Sequence, residues 1–342
     1  MKTKTRLLYT TWLSRQAELN GVAEGTVHSE KQFAVDPSIQ QVLIDKQRES
    51  SAFLGQINIV PVDEQSGEKL GLGVAGTLAG RTDTNARDRE TRDPTSLDAD
   101  RYECKQTNFD THVTYAKLDL WAKFKDFQTR LRSQTVQQQA RDRIMIGWNG
   151  IRADVQTDRV ANPLLQDVNV GWLEQIRQKR PTHVFDEGAT PGKIVVAPTG
   201  GDYRNLDALV YDAIQNFLPE WARGDTELVV IVGSGLLHEK YFPMVDGEDK
   251  PTEKVAADIL LSKKQLGGKQ AVMVPFFPAN TMLITRLDNL SIYEQENTRR
   301  KTIVDNAKRS RVETYESVNE AYVVENYDFA LLIENIEIAG GE

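Results

Sequence analysis

Sulfur, imidazole and long apolar runs are the scarce things in this sequence. Its single cysteine, Cys104, excludes an internal disulfide, suits a reducing cytoplasm and reads as a small buried hydrophobe. The four histidines, His28, His112, His183 and His238, lie far apart, and His238-Glu239 lacks the second histidine of a zinc-binding H-E-x-x-H. No metal site and no other cofactor is expected. No stretch approaches the ~18 consecutive apolar residues of a membrane span. The apolar run near the start is interrupted by Thr10, Thr11 and Ser14, which a signal peptide would not tolerate. A soluble, intracellular chain with no membrane partner is the expectation. Basic excess is missing too: a net charge of −8 argues against a dedicated reader of duplex DNA.

Catalytic patterns are equally thin. Gly71-Leu72-Gly73-Val74-Ala75-Gly76 has the spacing of a dinucleotide fingerprint, which needs a helix opening at its last glycine. Thr77 to Asp83 will not start one, so these glycines read as a flexible loop. Gly233-Ser234-Gly235 has no Lys-Ser/Thr after it and reads as a helix start with Ser234 as cap. Carboxylate pairs abound, but none is framed by apolar neighbours that would raise a pKa. An enzyme is not expected; a nucleotide-binding α/β enzyme remains the remote alternative.

What the chain does have is length and a spine. Its 342 residues, 39% hydrophobic and 27% charged, suffice for two domains and a real core. From Asp119 to Ile146 there is no Gly and no Pro. Apolar residues recur at Leu120, Phe124, Phe127 and Leu131, then at Val136, Ala140, Ile144 and Trp148, at helical spacing. One helix of roughly 40 Å is predicted, with a polar middle at Arg132 to Arg143. It carries six bases (Lys123, Lys125, Arg130, Arg132, Arg141, Arg143) against three acids, a basic stretch in an acidic chain.

Around it the chain divides into unlike parts. Residues 1–55 read as an arm of two short helices, one bearing Leu7, Leu8, Trp12, Leu13 and Leu19, the other following Pro37. Residues 56–107 hold a strand at Ile57 to Val62, then glycines, then the charged tract RDRETRD, a long projecting hairpin loop. A strand is predicted from Asn108 to Lys117 ahead of the spine. An α/β body follows, with a helix from Leu206 to Trp221, a strand at Leu228 to Val232, a helix from Ser234 to Phe242, and strands at Ala271 to Pro275 and Met282 to Thr285. The last stretch, Tyr322 to Ile338, reads as a strand returning beside the spine.

Arm, loop, spine helix, α/β body and returning strand, in that order, resemble the α+β fold of HK97-type phage capsids. Trp12-Leu13-Ser14-Arg15, AELNG (Ala17 to Gly21), Val35-Asp36-Pro37-Ser38, INIVPV (Ile57 to Val62), GEKLGLGV (Gly67 to Val74) and YEC (Tyr102 to Cys104) are similar to the major capsid proteins of P2-type tailed bacteriophages. So are LDLWA (Leu118 to Ala122), NPLLQDVNVGWL (Asn162 to Leu173), GGDYRNLDALV (Gly200 to Val210), LVVIVG (Leu228 to Gly233) and Asp288 to Tyr293. The resemblance runs from Arg6 to about Ile338.

That resemblance implies a structural protein assembling into hexamers and pentamers of an icosahedral shell around double-stranded DNA, held without base readout. It implies an axial domain at about 165–288 and a peripheral domain from the spine region, 108–164, plus 289–342. The extended loop, with Gly67, Gly71, Gly73 and Gly76, would lie on a neighbouring copy. A protease would remove an N-terminal segment between Gly25 and Asp36, at Lys31, Gln32, Phe33 or Ala34. Scaffolding protein and protease would act in trans, and a portal would join the shell. Lys123, Arg130, Arg132, Arg141 and Arg143 become candidates for the inner face. Assembly in the bacterial cytoplasm is expected, with an encapsulin-like compartment as the alternative shell.

Overall fold

The structure, a computed structural model, describes residues 1–74, 79, 81–84, 86, 88–89, 91, 95–124, 127–236 and 264–339. The arm opens with α1 (Thr3–Leu19), α2 (Glu24–His28) and α3 (Pro37–Ser50). Helix α1 ends where Asn20 Nδ2 donates back to the Gln16 carbonyl at 2.8 Å and Gly21 takes a left-handed φ of 61°. Helix α3 begins on the Asp36 side chain, which accepts from Ser38 N at 2.8 Å, with Pro37 in the first turn. Of the leucines expected on the buried face of α1, Leu13 alone is buried; Leu7, Leu8 and Leu19 are not. The buried face is made by four residues. They are Thr5, Tyr9, Leu13 and Ala17, four residues apart, while Leu7 is 69% exposed. That stripe packs with Val27, Phe33, Leu118, Ile303 and Val312, so the arm borrows its core from the body.

The first sheet has the order β1 (Phe33–Ala34), β14 (Arg300–Asn306), β15 (Arg311–Val324), β13 (Leu290–Gln295), β2 (Asn58–Val62). Two further strands, β5 (Lys105–Asn108) and β6 (Thr111–Thr114), also pair with β15. The predicted strand to Lys117 therefore stops early, because the chain turns into helix α4 (Tyr115–Trp121). A separate hairpin joins β3 (Ser66–Val74) to β4 (Thr95–Glu103), antiparallel and in register from Ser66 with Glu103 to Val74 with Thr95.

The spine differs from its reading as one helix. It is α4, a break at Ala122 to Phe124, and then α5 (Phe127–Asn149), roughly 35 Å long. The burial changes at the break: Leu118 and Ala122 are buried, whereas Leu120 and Phe124 of the first apolar set are exposed, so that set is not one continuous buried stripe. The second set, Val136, Ala140, Ile144 and Trp148, is buried as a stripe.

The body holds a second sheet in the order β10 (Gln265–Leu266), β11 (Lys269–Val272), β9 (Val229–Val232), β12 (Met282–Thr285), β16 (Leu331–Ile333), β7 (Val184–Phe185). Its central strands are buried on both faces, as their unbroken apolar runs require. Val230, Val232, Met282, Ile284, Leu331 and Ile333 meet helix α7 (Leu206–Phe217). Val229, Ile231, Leu283 and Leu332 point the other way, toward Trp148 and helix α6 (Trp172–Lys179). Helix α7 stops before Pro219, which leaves Trp221 in the short α8 (Glu220–Arg223) rather than in one long helix. The helix expected from Ser234 begins there; its remainder lies outside the described residues.

The C-terminal reading needs correction. Beyond β15 the chain does not stay beside the spine: β16 inserts between β12 and β7, and β17 (Ile336–Ile338) pairs in parallel with β8 (Ile194–Val196). Leu331, Leu332 and Ile333 are all fully buried, and only a two-sided sheet can cover both of their faces.

Candidate assembly site

Where α3 and α5 cross the first sheet, a cluster of charge is sealed from water. Two strand patterns create it. On β15, Glu316, Val318, Glu320, Tyr322 and Val324 share one face; on β13, Leu290, Ile292 and Glu294 do. Glu294 and Glu320 are direct cross-strand partners, an arrangement that alone would be repulsive. Arg143 descends from α5 to separate them. Its Nε donates to Glu320 Oε1 at 2.9 Å and its Nη2 to Glu294 Oε2 at 2.6 Å, with a further contact to Glu320. Its Nη1 donates to the Gln47 side chain on α3. Arg299 adds Nη1 to Glu294 Oε1 at 3.1 Å and Nε to Glu316 Oε1 at 2.8 Å. Gln40, also on α3, donates to Glu294 Oε1 at 2.6 Å. Both arginines, Glu294 and Glu320 are wholly buried.

Burial alone would raise Glu294, but the charges of Arg143 and Arg299 outweigh it and hold its carboxyl below the ordinary range. Burial would likewise raise Glu316; Arg299 leads the charges that hold it low. Glu320 goes the other way: burial and its neighbour Glu294 push it up against the pull of Arg143. The result is a fastener joining arm, spine and sheet, built on groups that cost several kcal/mol each to leave unpaired.

Beside it stands an aromatic cluster. Trp172, fully buried, meets Trp148 at 4.8 Å, Tyr322 at 5.4 Å and Phe53 at 6.0 Å between ring centroids. Its Nε1 donates to the Ser291 carbonyl at 3.0 Å. Gly147 makes room for it: a Cβ there would lie 2.2 Å from the ring.

The hairpin is tied at its root. Lys69 donates to the Val324 carbonyl and lies 5.2 Å over the Tyr327 ring. Gly67, Gly71 and Gly73 occur at alternate positions, on the strand face that Lys69 shares. They were expected in a loop and stand in β3, Gly71 opposite Asp98 and Gly73 opposite Ser96; Gly76 lies outside the described residues. Cys104, between β4 and β5, is fully buried, and burial, then Glu320 and Glu103, push its thiol up to about 12. At pH 8 the thiolate fraction is then roughly one in ten thousand. Iodoacetamide should leave Cys104 intact in the folded subunit and alkylate it fully in urea; mass spectrometry reads the difference, and fast native labelling would contradict this burial.

The candidate inner-face bases divide. Lys123 and Arg141 are exposed, while Arg130 and Arg132 belong to α5 but their side chains lie outside the described ones. Arg143 must be withdrawn: it is fully buried and its guanidinium is committed to Glu294, Glu320 and Gln47. Of the candidate processing residues, Lys31 and Gln32 are exposed, whereas Phe33 is buried and, with Ala34, pairs with β14. Between arm and spine is a cavity of about 340 Å³, bordered by Trp12, Ile39, Leu43, Trp121 and Val136. Among the described residues no cluster of three or more metal-capable side chains occurs, and no helix is long and apolar enough to cross a membrane.

The buried cluster was missed because charged residues are read as surface by default. The available signal was a pair of glutamates, Glu316 and Glu320, on the same strand face as Val318, Tyr322 and Val324.

Comparison with known proteins matches this architecture over nearly its whole length. The family model described as phage major capsid protein, P2 family, matches residues 8–336. The capsid protein of Escherichia phage P2 is 46% identical over 99% of this chain and 96% of its own length. The major capsid protein of Serratia phage KSP20 is 37% identical over 100% of this chain and 99% of its own. A chain of the satellite phage P4 procapsid, solved with the size determination (Sid) protein, superposes with a TM-score of 0.82 at 43% identity, covering 99% of each chain. The fold is thus the HK97-like capsid fold, and the chain belongs to the P2 family of phage major capsid proteins.

Proposed function

We propose that this capsid subunit closes into hexamers and pentamers of an icosahedral shell around double-stranded DNA, and that its arm is processed on the way. The observation that carries the reading is the superposition, over 99% of both chains, on a subunit of an assembled procapsid. The β3–β4 hairpin reaches a neighbouring copy; residues 165–288 form the axial domain and the first sheet with the spine forms the peripheral one. Lys123, Arg130, Arg132 and Arg141 face the interior, where a few bases suffice for DNA held without base readout. Arg143 has a different part, as an internal strut.

Scaffolding protein and protease act in trans in the host cytoplasm, and a portal occupies one vertex. The exposed Lys31-Gln32 linker supports a cut there, and the cavity beneath α1 supports an arm that leaves without dismantling the core. Co-expression with the adjacent head genes should yield closed particles by negative-stain microscopy. Mass spectrometry of protein from mature particles should show an N-terminus within 31–36. Only small, unassembled particles under all conditions would overturn the assembly reading, and an intact Met1 in mature particles would overturn the processing.

A further inference from the structure

The cavity between arm and spine, about 340 Å³, falls at the small end of ligand sites, which run to ~300–1,000 Å³. Four helices wall it. Tyr9 and Trp12 of α1, Leu43 of α3, Trp121 of α4 and Val136 of α5 give it apolar sides. Such sides hold water poorly, because they offer it no hydrogen bonds.

The inner end is different. Arg299 borders the cavity and is wholly buried. Glu316 accepts from its Nε at 2.8 Å and Glu294 from its Nη1 at 3.1 Å. Its Nη2, likewise buried, has no hydrogen-bond partner. Charged donors are seldom left in this state, since a buried one has given up its hydration and gained nothing in exchange. Arg299 thus has one donor unmatched at the end of an apolar space.

Charge says which acceptor suits it. In the lining, Lys117, Arg299 and Lys301 stand against Glu316 alone, a sum of +2 in a chain of net −8. Lys117 is exposed, Lys301 half-buried and Arg299 buried, so positive charge runs from the open side inward. A cation would be repelled along that path. A nucleic acid would have to carry a charge for every nucleotide between apolar walls. We infer that this cavity is a binding site for a small anionic amphiphile: its carboxylate on Arg299, its slender apolar body between Trp12, Leu43, Trp121 and Val136. A carboxylate matches the planar fork of guanidinium donors. Seated there, the ligand touches α1, α3, α4 and α5 together and ties the arm to the spine.

Because the site lies within one subunit, its test needs no shell. Decanoate is titrated into the full-length subunit below its micellar concentration, with decanol and decylammonium in parallel. Calorimetry should show saturable one-to-one binding of decanoate, about tenfold tighter or more than either analogue. The thermal midpoint should rise with decanoate concentration. No saturable binding, or equal binding of all three probes, would overturn the inference. Leu43→Trp, which fills the space, should keep the parental far-UV spectrum and weaken decanoate binding about tenfold or more. Undiminished affinity in that folded variant would put decanoate elsewhere and overturn the site. Should the variant not fold, decanoate carrying a diazirine at its tail tests the unaltered chain. Its labels should fall within residues 9–20, 39–43, 117–121 or 135–139, as read by mass spectrometry. Labels concentrated outside those segments would overturn the site.

Discussion

Arg143→Met should destabilise the free subunit by about 3–5 kcal/mol at pH 7, a large share of the ~5–15 kcal/mol that holds a typical domain folded. The methionine fills most of the volume but leaves Glu294 and Glu320 facing each other across β13 and β15 with only Arg299 to answer them. Gln47 on α3 loses its charged partner as well, so the arm helix should loosen from the spine. The pH dependence identifies the cause. In the parent, Glu294 and Glu316 are held below their ordinary pKa, so their contribution is present above about pH 4.3, the unfolded value, and is lost as pH falls through the folded pKa. In the variant the unpaired carboxyls shift upward instead. A group with a raised folded pKa penalises the native state at high pH, and the penalty fades as pH falls toward the unfolded value. The deficit of Arg143→Met should therefore shrink from pH 7 to pH 5, as read by urea denaturation at both. A deficit independent of pH would mean that lost packing, not stranded charge, is responsible.

Trp172→Ala should cost about as much, 3–5 kcal/mol, by a route with no titration in it. The ring fills the space between Trp148, Tyr322 and Phe53, and its indole N–H covers the Ser291 carbonyl. Alanine leaves a cavity that aromatic neighbours, held in edge-on contact with one another, refill poorly. Gly147→Ala should fail through the same contact from the other side, since its new Cβ would strike the ring. Combining Gly147→Ala with Trp172→Ala should then cost less than the sum of the two, and full additivity in urea denaturation would show that the two positions do not share one space. Neither variant should respond to pH as Arg143→Met does.

These two sites mark where the sequence was legible and where it was not. The strand at 229–232 and the helix from Leu206 were readable because apolar periodicity reports burial directly. The order of family words carried the fold, since so many short segments recur in one succession. Periodicity failed at the spine, where the mid-helix polar residues Gln139 and Arg143 face inward to carboxylates that come from strands over 150 residues later. Such pairings are non-local, and no window along the chain contains both partners. It failed again in the arm, where Thr5 and Ala17, weakly apolar, define the buried stripe and Leu7 does not. Residues 151–165 were silent for another reason: Val155 and Val160 are apolar by type yet lie exposed, and nothing in their neighbours along the chain reports that.

The long strand β15 has a mechanical consequence. Its 14 residues, roughly 45 Å of extended backbone, pair with β14, β13, β5 and β6. One leg of the hairpin, β4, runs into β5 across the single residue Cys104, and the other, β3, follows closely on β2, which is bonded to β13. A pull on the hairpin is thus divided between two ladders of one sheet, and wherever it runs along the strands it must shear several hydrogen bonds together rather than peel them singly. β15 is the tie-bar of the subunit: tension entering through the hairpin reaches the arm, the spine and the C-terminal strands through the same length of backbone.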